Sequence, residues 1–158
     1  MLLLRPGYFF ENHLAQLPVV KTEGVIAEAL DPEVPIPMIA AGDIGARAAE
    51  ALAKRDFQDG TVQELLGPRD LTMNEVARIL GASIGKPDLP YVQLPYEEYE
   101  KVLVQAGISP QAARLFSEMA QALNEGRVRS LEGRNRENTT PTTLESFAET
   151  WAEAYQAQ

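Results

Sequence analysis

Leu2-Leu3-Leu4 is the feature that most constrains this chain. The run is continuous and apolar, and Arg5-Pro6-Gly7 closes it at once. An apolar run without polar alternation reads as a strand buried on both faces. Strands of that kind belong to parallel sheets, whose neighbours arrive through helical crossovers. An α/β chain is therefore expected. Nothing stands before the run in this sequence, an orphan position for a strand that needs neighbours.

The 158 residues and 17.4 kDa fit one domain over residues 1–158. An apolar content of 45% is that of an ordinary globular protein. The 14 Lys and Arg against 23 Asp and Glu leave a net charge of −9. That charge argues against nucleic acid, where affinity comes from neutralising phosphates. It also argues against an anionic membrane surface. The absence of Cys excludes disulfides, thiolate metal sites and a Cys nucleophile. No run approaches the roughly 18 apolar residues of a membrane helix. The start lacks the basic region and apolar length of a signal peptide. A cytoplasmic location is expected.

Tyr8-Phe9-Phe10 follows the first run, and Glu11 to Leu17 suits a short helix ending before Pro18. Extended candidates occur at Val25-Ile26 and at Ile36 to Ala41. A helix is expected from Asp43, read as its N-cap, to Lys54-Arg55, with a stripe of Ile44, Ala48, Ala51 and Leu52. Thr61 to Leu66 reads as a strand. Thr72 and Glu75 form a capping box before the stripe Met73, Val76, Ile79 and Leu80. Tyr91 to Leu94 is a short strand. Tyr96, Tyr99, Val102, Leu103 and Ala106 mark the next helix. Ser109-Pro110 starts another, with the stripe Ala112, Leu115, Phe116, Met119 and Leu123. Residues 127–142 read as a mobile polar loop. Thr143 caps a last helix with the stripe Leu144, Phe147, Ala148, Trp151 and Tyr155. The sum is a mixed α and β chain of about five helices and three to five short strands.

Few motifs carry chemistry. Thr72 to Gly81 suits the first helix of a helix-turn-helix, but a breaker-rich and acidic segment follows instead of a reader helix. Neither G-x-G-x-x-G nor G-x-x-x-x-G-K-[ST] occurs, and Asp43 sits beside the nearest glycine pair, Gly42 and Gly45. No Tyr has a Lys four residues on. His13 is the sole imidazole, and no metal site is expected. Glu97, Glu98 and Glu100 read as a solvated face. Arg127, Arg129, Arg134 and Arg136 suit either a solvated loop or an anionic partner. Tyr8-Phe9-Phe10 matters most, because open α/β sheets place ligands at the carboxyl ends of strands. The competing reading is that these rings fill the core.

Three blocks together resemble the NmrA-like family of atypical short-chain dehydrogenase/reductase relatives. Leu3-Leu4-Arg5-Pro6-Gly7-Tyr8-Phe9-Phe10-Glu11-Asn12 resembles the strand-to-loop segment of the family's second half. Ile39 to Gly45 is similar to its strand-then-helix signature. Glu64 to Thr72, with Glu75-Val76-Ala77, is similar to its later Gly-Pro block and capped helix. The likeness covers roughly residues 2–110 and implies the C-terminal, substrate-side half of an NAD(P)-binding Rossmann-like fold. The dinucleotide fingerprint would lie before Met1. By the same resemblance, Gly7, Tyr8 and Asn12 would touch the cofactor, while Tyr8, Phe9, Phe10 and His13 would touch substrate. No catalytic acid is evident. Hydride transfer to a small carbonyl or quinone-like acceptor is implied, with NAD(P) as cofactor. The alternative is a non-catalytic module, paired with a separate Rossmann-type chain or with itself as a homo-oligomer.

Overall fold

β1 (Leu2–Pro6) pairs in parallel with β5 (Thr61–Leu65), from Leu2 opposite Thr61 to Pro6 opposite Leu65. The computed structural model describes residues 1–55 and 57–157. Two further small sheets follow. In one, β2 (Tyr8–Phe9) lies parallel to β4 (Ile36–Ile39), which pairs antiparallel with β6 (Asp70–Leu71). In the other, β3 (Ile26–Glu28) lies parallel to β7 (Tyr91–Gln93). A 3-10 helix (Phe10–Gln16) and α1 (Leu17–Thr22) fill the space between β2 and β3. The remaining helices are α2 (Ala41–Lys54), α3 (Met73–Ser83), α4 (Tyr96–Gln105), α5 (Pro110–Asn124) and α6 (Leu144–Ala157). This is the mixed α/β class expected from the sequence.

The core gathers under β2–β4–β6, between α3 and α6. Phe10, Ile36, Met38, Leu71, Met73, Leu80, Leu144 and Trp151 are each at most 2% exposed there. Trp151 alone contributes on the order of 4–6 kcal/mol by removing its ring from water. Its Nε1–H donates to the His13 carbonyl at 3.2 Å, so α6 is tied to the 3-10 helix as well as packed against it. The capping box of α3 is present as expected. Thr72 Oγ1 accepts from the Glu75 amide, and Glu75 Oε2 accepts from the Thr72 amide at 2.9 Å. Ser109 caps α5, with Pro110 at its first position.

Several expectations are corrected. β1 is not buried on both faces. Leu3 is 45% exposed, and burial alternates along β1, so one of its faces is open to solvent. Asp43 is not the cap of α2. The helix starts two residues earlier, with Ala40 as N-cap, and the Glu11 carboxylate accepts from the Ala41 amide at 2.9 and 3.0 Å. Asp43 instead accepts from the backbone N–H and hydroxyl of Thr142, at 3.1 and 2.7 Å. Of the α2 stripe, Ala51 is buried and Ile44 and Ala48 are half-buried, while Leu52 is 68% exposed.

The stripe of α5 is covered only in part: Ala112 and Leu123 are half-buried, with Leu123 packed against the core. Leu115, Phe116 and Met119 face outward, while Ala113, Ser117 and Ala120 are buried. Small residues allow α4 and α5 to approach closely, and that approach sets the buried face. Residues 127–142 form no helix, and hydrogen bonds anchor them at several points. Arg134 reaches the Gly67 carbonyl at 2.8 Å, Thr140 donates through its amide to the Leu66 carbonyl, and Asn138 closes a turn on Asn135.

Candidate functional site

Pro6 ends β1 opposite Leu65. The chain then crosses from the β1–β5 sheet to β4 at Gly7. The Gly7 amide donates to the Leu65 carbonyl at 2.9 Å, and a Cβ there would meet the Pro37 carbonyl oxygen at 2.5 Å. Gly67 makes the same crossing after β5. Its amide donates to the Met38 carbonyl at 2.8 Å, and a Cβ would meet that oxygen at 2.2 Å. Each glycine is required by close backbone approach on β4.

The two crossings leave a cleft of about 200 Å³ at the carboxyl ends of β1 and β5. Strands of open α/β sheets place ligands at such ends. Pro6, Gly7, Tyr8, Pro37 and Leu66 line one side; Met119 and Leu123 of α5, with Val128, Arg129 and Ser130, line the other. Arg5 and Glu64 complete it. A second cavity of about 280 Å³ adjoins it, sharing Pro37, Leu66, Leu123 and the 128–130 segment.

Glu64 is 5% exposed and saturated with donors. The Ser130 hydroxyl and the Leu131 and Glu132 amides all point at its carboxylate. Burial pushes its pKa up, but these donors and the nearby charge of Arg5 outweigh burial and hold it below the usual 4.5. Glu64 therefore fixes the loop that forms the cleft's outer wall.

Behind Tyr8 lies a buried polar cluster. The Tyr8 hydroxyl donates to Glu28 Oε2 at 3.0 Å, and His13 Nδ1 lies 3.6 Å from Glu28 Oε1. His13 is fully buried, and neither ring nitrogen has a hydrogen-bond partner. The Tyr91 hydroxyl donates to the carbonyls of Glu28 and Leu30. Burial and the Glu28 charge raise all three neighbouring phenols, Tyr8 and Tyr91 far above the ordinary value and Tyr99 to about 12. They are neutral hydrogen-bond donors at physiological pH.

The residues singled out in the sequence thus separate. Gly7 and Tyr8 line the cleft. Phe9 pairs with Ile39 in the β2–β4 ladder, and Asn12 is exposed beside Tyr8. Phe10 packs in the core, its ring 5.7 Å from that of Phe147, and His13 lies behind Tyr8 at 5.7 Å between ring centroids. The cleft's Arg5, Glu64, Met119 and Ser130 carry no local sequence signal. The β1–β5 register and the return of the 127–142 segment bring them together.

The residues present do not fit the diphosphate of a dinucleotide. Such a cradle needs free amides at a helix N-terminus. Glu11 already takes the Ala41 amide of α2, and Asp43 adds a second carboxylate in that turn. Gly7 and Gly67 are filled by backbone rather than open. Among the described residues no group of three or more His, Cys, Asp or Glu is placed to hold a metal, and no helix is long and apolar enough to cross a membrane.

Comparison with known proteins gives a consistent assignment. The chain is 26% identical over 156 residues to Prestalk A differentiation protein A of Dictyostelium discoideum, covering 92% of this chain and 48% of that protein. It is 29% identical over 126 residues to the uncharacterized oxidoreductase YesF of Bacillus subtilis, covering 78% of this chain and 43% of that one. Its fold is that of an NADPH-dependent quinone oxidoreductase from Escherichia coli, with a TM-score of 0.73 at 23% identity over 94% of this chain and 53% of that one. The chain spans about half the length of these relatives. The NmrA-like family model matches residues 2–148, and the chain belongs to that family.

Proposed function

We propose that this chain forms the substrate-binding portion of an NmrA-like NAD(P)-dependent oxidoreductase or redox sensor. A nucleotide-binding half would complete it, and the acceptor for hydride would be a small quinone-like or carbonyl compound. The carrying observation is the apolar cleft at the carboxyl ends of β1 and β5, with Tyr8 in its wall, on a chain matched to the family along nearly its whole length. The Escherichia coli quinone oxidoreductase, whose fold this chain shares, has also been crystallised with NADPH. On this reading the cleft holds the acceptor and the dinucleotide's phosphates are held elsewhere.

A thermal melt with menadione, and separately with NADPH, tests the reading. The chain has no Cys, so the quinone finds no thiol to arylate. A ligand that binds only the folded state at 100 times its Kd adds about 2.7 kcal/mol. That moves the midpoint by roughly 5–10 °C at this chain length. Menadione is expected to raise the midpoint and NADPH alone to leave it unchanged. No shift with menadione overturns the acceptor-site reading. A shift with NADPH alone overturns the need for a second half.

One observation favours a second reading, a non-catalytic interaction module. The outer edge of β1 is unpaired among the described residues and carries the exposed Leu3. An open edge is a template for another strand, from a separate Rossmann-type chain or a second copy.

A further inference from the structure

The cleft is mostly apolar, and two arginines are among the residues that line it. Pro37, Leu66, Met119 and Leu123 give it an apolar surface. Arg5 and Arg129 line it as well. Arg5 lies close enough to feel the Glu64 charge, but no hydrogen bond joins them. Arg129 has no acidic partner among the described residues. Two other arginines of its segment are paired, Arg127 with Glu125 and Arg134 with Asp70, while Arg136, also without an acidic partner among the described residues, does not line the cleft. Arg129 also lines the adjoining cavity of about 280 Å³. The one carboxylate in the cleft, Glu64, keeps its charge beside Arg5 while bonding Ser130, Leu131 and Glu132, and no hydrogen bond or ion pair joins it to Arg129.

We propose that this cleft takes a flat apolar ligand bearing an anionic substituent, such as an aromatic carboxylate, with Arg129 as the residue that reads the anion. The inference rests on the acceptor-site reading and deepens it by naming a substrate class. A planar guanidinium suits a carboxylate because two N–H groups bond it in parallel. The apolar surface suits the ring. Arg5 is the second cation lining the cleft, its charge offset by the adjacent Glu64 carboxylate. The net charge of −9 works against anion approach at long range. Discrimination must therefore arise at short range, from direct contact with Arg129, within the distance that salt leaves unscreened.

Titration calorimetry of the chain with 2-naphthoate and with its neutral counterpart 2-naphthylmethanol tests this. The acid is expected to bind about tenfold tighter, the size of one hydrogen bond to a charged group. Arg129→Gln is expected to bring the ratio of the two affinities close to one, and Arg129→Lys to keep part of it. Arg129 is exposed and bonded to nothing, so neither variant disturbs folding. Equal affinities in the unmodified chain overturn the inference while leaving the acceptor site standing. So does a preference that survives both Arg129→Gln and Arg5→Gln. Failure of both ligands to bind overturns the acceptor-site reading and the inference with it.

Discussion

Glu64 shows how one side chain shapes the cleft. Its carboxylate collects three donors from residues 130–132, far away in sequence, and so holds the outer wall of the cleft against β5. Its pKa is depressed in the fold, so the stability it contributes is fully present above the ordinary carboxyl value of 4.5 and is lost as pH falls through the lower folded value. Glu64→Gln keeps the shape and removes the charge, at a cost of about 1.5–3 kcal/mol. The variant is expected to melt several degrees below the unmodified chain at pH 7. The gap should narrow as both are acidified below about pH 4, where the carboxylate itself is protonated. Glu75, held low first by the Thr72 amide, titrates in the same region, so the difference between the two proteins is the readout. A gap that stays constant from pH 7 to pH 3 would mean that the charge does not anchor the loop.

At the scale of elements, α5 carries two candidate faces, and packing selects the less apolar one. Leu115, Phe116 and Met119 make the larger stripe, yet Ala113, Ser117 and Ala120 are the residues covered. Ala120→Leu would force a branched side chain into a closed contact and is expected to cost about 1–3 kcal/mol. Leu115→Ser touches a 60% exposed position and is expected to stay within about 0.5 kcal/mol. Chemical denaturation of the two variants compares them directly. The opposite order would mean that the Leu115 face is covered in solution. Local chemistry made the ends of α3 and α5 legible, because Thr72, Glu75, Ser109 and Pro110 act on their own helices. The start of α2 was not legible, since its cap, Glu11, comes from 30 residues away. Periodicity located α5 but not its buried face, which α4 decides. The cleft was half legible in the same sense. Tyr8 follows from the rule of strand ends, whereas Arg5 and Glu64 meet Ser130 only through the β1–β5 register and a returning loop.

For the whole molecule, sheet edges matter more than sheet interiors. Three sheets of two or three strands leave many unpaired backbone groups, and β1 and β5, the longest strands at five residues each, both have a side unpaired with another strand among the described residues. Leu3 projects from β1 with 45% of its surface in solvent. A second copy or a separate chain that added a strand there would satisfy the free N–H and C=O groups and set a side chain beside Leu3. The net charge of −9 opposes association of two copies, and salt screens that repulsion. The chain alone is therefore expected to self-associate, more strongly at 0.5 M salt than at 0.05 M, both taken as rough working concentrations around the screening range. Leu3→Lys places a charge on the edge, a device by which natural sheets block such pairing. It is expected to leave the melting midpoint of dilute protein nearly unchanged and to give a monomer in sedimentation velocity at either salt concentration. An unmodified chain that stays monomeric at high salt would remove self-pairing at β1. The edge would then be available for a strand from a different chain, and a nucleotide-binding half supplied separately would be the partner to test against it.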